Sequence, residues 1–67
     1  MTRKELNRIK NNVKIIKTGY CEYNNLPYEE KQRYVEIGTN YGVYGWNWTA
    51  YLNTNDSILI IDGYRNF

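Results

Sequence analysis

With 67 residues the chain has room for one domain, read as a single unit over 1–67. A net charge of +2, a lone cysteine (Cys21) and no histidine leave no internal disulfide. They also leave no Ser-His-Asp or Cys-His pair for nucleophilic catalysis, and ligands too sparse for a zinc centre. No glycine-rich phosphate loop occurs, and the one adjacent acid pair, Glu29-Glu30, follows Pro27 where acids suit a helix start. The expectation is a protein that binds rather than catalyses, without metal or cofactor. No window nears the ~18 apolar residues of a membrane span. The charged start, Met1-Thr2-Arg3-Lys4-Glu5, runs directly into a helix, so the expected location is cytoplasmic, or the host cytoplasm for a phage-encoded chain.

The first element in chain order is an amphipathic helix over 3–17. Thr2 and Glu5 stand at capping-box spacing, Leu6, Ile9, Val13 and Ile16 fall on one stripe, and Gly19 is the stop signal. Asn7, Asn11 and Asn12 weaken its propensity, so it depends on docking that stripe. Residues 1–17 carry six basic side chains against Glu5 alone, +5, whereas residues 18–67 carry three basic against six acidic, −3. A basic helix is thus joined to a mildly acidic, aromatic body. A short strand over 20–23, a helical turn over 27–33 and a strand over 34–37 follow, with Gly38-Thr39-Asn40 as a turn.

The best strands are 43–52 and 57–63, joined by the polar loop 53–56. Pairing Leu52 with Ser57 places Tyr44, Trp46, Trp48, Ala50 and Leu52 on one face with Leu59, Ile61 and Arg65. Val43, Thr49 and Tyr51 then share the other face with Ile58, Ile60 and Tyr64, and Asn47 stands opposite Asp62. The run Ile58-Leu59-Ile60-Ile61 lacks polar alternation, so its strand belongs in the middle of a sheet, covered on both sides. One helix covers one face. The other face, or the edge strand, is expected to be buried against a second copy of the chain, giving a homodimer, or against a partner.

Five of the eleven aromatic rings lie in residues 41–51. Packed under the helix, Trp46 and Trp48 make core. Turned outward beside Lys10, Lys14 and Lys17, they form a stacking platform with phosphate contacts, a small nucleic-acid-binding module. Tyr41, Tyr44, Tyr51, Tyr64 and Arg65 are the candidate anchors for a protein partner, since tyrosine and arginine are enriched at binding hot spots.

Gly19-Tyr20-Cys21-Glu22, Gly42-Val43-Tyr44-Gly45-Trp46-Asn47 and Asp62-Gly63-Tyr64-Arg65-Asn66-Phe67 together resemble a pattern of very short, mostly uncharacterised proteins. Those proteins occur in Gram-positive bacteria and their phages and mobile elements. The resemblance spans about 13–67, and the chain departs from it by the acidic insert at Glu29-Glu30 and a longer loop at 53–56. It implies no catalytic residues. It implies a cytosolic factor that binds a host protein or nucleic acid, as immunity proteins do. The expected fold is α+β: an N-terminal amphipathic helix packed on a three- to four-stranded antiparallel sheet with a C-terminal β-hairpin. The expected function is a non-catalytic protein-binding accessory factor that inhibits a host defence or regulatory protein by occluding its surface. The alternative is the nucleic-acid module.

Overall fold

A computed structural model describes residues 2–41 and 47–63, without the side chains of Arg3, Asn40 and Tyr41. The first helix, α1, spans Arg3–Lys10. Thr2 caps it, its Oγ1 accepting from the Glu5 N–H at 3.1 Å. Its end comes seven residues before the expected one. Asn11 and Asn12 compete with the helix for backbone bonds, and Asn12 Nδ2 donates to the Arg8 carbonyl at 3.0 Å. Beyond them, Ile15–Gly19 form strand β1. Two isoleucines and a threonine in this stretch are stiff at χ1 and fit a pleated surface better than a helix. Gly19 therefore ends a strand, not a helix.

The expected strand at 20–23 is a turn, in which Cys21 and Tyr23 carbonyls accept from Asn25 and Leu26 N–H groups. The helical turn expected next is present as α2, Tyr28–Lys31, entered through Pro27. Strand β2 is Val35–Tyr41, so Gly38-Thr39-Asn40 continues a strand where a turn was expected. A bulge absorbs the glycine: the register shifts between Glu36 and Gly38, leaving Ile37 as the extra residue.

Strands β3, Asn47–Asn53, and β4, Ile58–Asp62, form the C-terminal hairpin. Its loop has the expected four residues but starts one residue later, at 54–57. Asn53 holds this start: its Oδ1 accepts from the Asp56 N–H and its Nδ2 donates to Asp56 Oδ2, both at 3.1 Å. Ser57 closes the loop with φ 58°. Leu52 consequently pairs with Leu59, not Ser57, and Asp62 pairs with Thr49, not Asn47. A slip of two residues preserves the side of each paired side chain, so the expected face assignments survive among the described residues, while Val43, Tyr44, Trp46, Tyr64 and Arg65 lie outside them.

The fold is α+β, with a sheet in the order β1-β4-β3-β2. β2–β3 and β3–β4 are antiparallel, whereas β1 runs parallel to β4, so the sheet is mixed and not wholly antiparallel as expected. β4 is central, as its apolar run requires. On one face α1 supplies Leu6, which is buried with Trp48, Ala50, Leu59 and Ile61, and Ile9, Val13, Ile37 and Leu52 pack around them. On the other face Ile60, paired with Tyr51, is fully buried. There residues 20–34 lie over the sheet: the Tyr23 ring stacks on Tyr51 with centroids 3.9 Å apart and planes 5° apart. Tyr34 meets Tyr23 edge-on at 6.2 Å. The chain thus buries Ile60 and one ring face of Tyr51 within a single copy.

Candidate functional site

The least covered apolar run begins at β1. Its parallel register with β4 pairs Ile15 with Ile58 and Thr18 with Ile61, and no described strand pairs with its outer side. Ile15 and Ile16 are 45% and 44% exposed, and Tyr20, just past the strand, is 66% exposed. Lys14 and Lys17 flank the isoleucine pair, and both are exposed. The edge is therefore greasy and positive. Bonds with β4 run through the odd-numbered residues: Ile15 N–H donates to the Ser57 carbonyl at 3.1 Å, and Gly63 N–H to the Gly19 carbonyl at 2.8 Å. By alternation the N–H and C=O groups of Ile16 and Thr18 turn outward.

At its C-terminal end this edge meets a cleft of about 240 Å³ lined by Tyr20, Asn24, Asn47, Thr49, Tyr51 and Asp62. Asp62 is only 8% exposed and accepts from the N–H groups of Glu22 and Tyr23, both at 2.8 Å. The carboxylate thereby ties the 20–23 turn to the central strand and brings Tyr20 to the cleft mouth. Burial, followed by the charges of Glu36 and Asp62 and the neighbouring Tyr23, pushes the Tyr51 phenol above its ordinary 10.0. Tyr51 is thus a neutral hydrogen-bonding group at neutral pH. Gly63, with φ 77°, turns the chain out of β4; a Cβ there would stand 3.2 Å from the Asn47 carbonyl oxygen.

No protein-family model, curated protein or solved structure matches this chain. Its site is therefore read from its own geometry.

Of the expected protein-binding anchors, Tyr51 lines the cleft, with one ring face already taken by Tyr23. Tyr44, Tyr64 and Arg65 lie outside the described residues, as does the Tyr41 side chain. For the nucleic-acid alternative, Trp46 lies outside them too, and Trp48 is buried in the core with Leu6. Lys10, Lys14 and Lys17 all fall within the single helix expected over 3–17. In the structure Lys10 ends α1, Lys14 lies in the bend after it and Lys17 sits on β1. Tyr20, Ile15 and Ile16 were missed as surface groups. The available signal was the Ile-Ile-Lys-Thr run directly after Asn11-Asn12, which reads as a strand once the helix is stopped at the asparagines. Among the described residues no group of three or more Cys, Asp or Glu side chains is placed to hold a metal ion. No described helix is long and apolar enough to cross a membrane.

Proposed function

We propose that this chain is a non-catalytic protein-binding factor whose contact surface runs along β1 and Tyr20 into the Tyr51–Asp62 cleft. The observation that carries this reading is the clustering of exposed apolar side chains. Of the five large hydrophobic residues that stand exposed among the described residues, Ile15, Ile16 and Tyr20 fall within six consecutive positions, on or just past a strand edge with unpaired backbone groups. Such an edge is a template for association that a free-standing protein ordinarily blunts. The resemblance to short proteins of Gram-positive phages and mobile elements gives the context. The partner is then a host defence or regulatory protein in the cytoplasm, inhibited by occlusion. Ile60 is fully buried within a single copy, so this reading does not depend on a homodimer.

The nucleic-acid reading draws less support, because Trp48 offers its ring to the core and the three lysines sit on different elements. Affinity capture from host lysate with the tagged chain, followed by reconstitution with the purified partner, tests the proposal. The expected result is a saturable complex weakened at least ten-fold by Tyr20→Ala combined with Ile16→Thr. Binding to oligonucleotides that falls steeply with salt, with no protein captured, would refute it.

A further inference from the structure

Resting on the protein-binding reading, we propose that β1 takes an extended acidic segment of the partner as a fifth strand, antiparallel to it. Backbone geometry supplies the affinity. The outward N–H and C=O groups of Ile16 and Thr18 each exchange two bonds with a residue directly opposite, as in strand addition to a sheet edge.

Side chains supply the selectivity. Lys14 and Lys17 are exposed, and neither has an ion-pair partner among the described residues. Residues 14–19 contain no acid to balance them. Two copies of this edge laid side by side would bring four lysines together, and like charges across strands are destabilising. The same lysines guard the edge against its own kind and select a partner of opposite charge. Ile16 lies on the α1 face beside Leu59, and Ile15 on the opposite face beside Ile58. The incoming strand should therefore be apolar opposite both isoleucines and acidic opposite both lysines. Read antiparallel from Thr18 to Lys14, the complement is Thr-Glu-Ile-Val-Glu.

The probe is a hairpin peptide presenting that strand, titrated into the isotopically labelled full-length protein at low salt and followed by amide chemical shifts. The expected result is saturable shifts confined to residues 14–20 and their β4 neighbours, weakening as salt is added. N-methylation of the isoleucine opposite Ile16 should abolish binding while leaving the peptide's charge intact. The surface variant Lys14→Glu/Lys17→Glu should bind this peptide about ten-fold more weakly, and prefer one with lysines in place of the glutamates. The proposal is overturned by absence of shifts at millimolar peptide, by shifts centred on the Tyr51–Asp62 cleft, or by survival of binding after N-methylation. Concentration-dependent broadening at β1 without peptide would assign the edge to a second copy and overturn it equally. A captured partner protein that binds the wild type and the charge-reversed variant equally leaves protein binding standing and removes the edge from it.

Discussion

The Asp62 side chain ties together two segments far apart in sequence. Its two oxygens accept the Glu22 and Tyr23 N–H groups from across the sheet, 40 and 39 residues away in sequence. Hydrogen bonds to a charged group contribute about 1.5–3 kcal/mol each, and removing the acceptor strands two donors in a partly buried place. Asp62→Ala is expected to cost about 2–4 kcal/mol, with Asp62→Asn losing less because one acceptor remains. Denaturant titration checks both, and a further loss of near-ultraviolet tyrosine dichroism would show that the Tyr23–Tyr51 stack has gone with the tether. Tyr51 sets a dependence at the alkaline end. Its folded phenol is held neutral above 10.0, so the unfolded chain releases that proton first. The contribution to stability is whole below about pH 10 and is lost as pH rises from there through the raised folded value. Tyr51→Phe keeps the ring and removes this term. Its unfolding free energy should fall less steeply than the wild type's above about pH 10 in parallel denaturation series.

Among the elements, α1 shows how little local propensity supports a helix of eight residues. Isolated helices shorter than about 12–15 residues are marginal in water, so this one stands on its cap and its docking face. Thr2→Ala should cost about 1 kcal/mol by leaving the Glu5 N–H without its side-chain acceptor. Leu6→Ala should cost about 2–5 kcal/mol, since Leu6 is fully buried against Trp48, Ala50, Leu59 and Ile61. Thermal unfolding of the two variants checks the order. The helix start was legible because a cap depends on residues three apart. The helix end was not, because Leu6, Ile9 and Val13 reach one core, and Ile16 the same side of the sheet, whether the chain stays helical or turns into a strand. Leu6 and Ile9 reach it from α1, Val13 from the connection, and Ile16 lies beside Leu59 on β1. Helical spacing of apolar residues thus fitted two backbones. Only the asparagine pair distinguished them.

At the scale of the whole molecule, a mixed four-stranded sheet is covered on one face by α1 and on the other by residues 20–34. With Ile60 buried inside the chain and lysines on the β1 edge, the protein should sediment as an 8.1 kDa monomer at micromolar concentration and low salt. A mass near twice that would return the edge or the cleft to a dimer interface. Local sequence patterns set the helix start, the C-terminal hairpin, the central place of the Ile58–Ile61 run and the split of its side chains between two faces. These follow from capping chemistry and from alternation, which depend on near neighbours. Tertiary structure alone decided that β1 exists and runs parallel to β4, and that the turn after it is held by Asp62. It likewise decided that the Tyr51 ring meets Tyr23, which Tyr34 in turn meets edge-on. Each of these is a contact between segments far apart in sequence, and no local pattern encodes which distant segment will arrive.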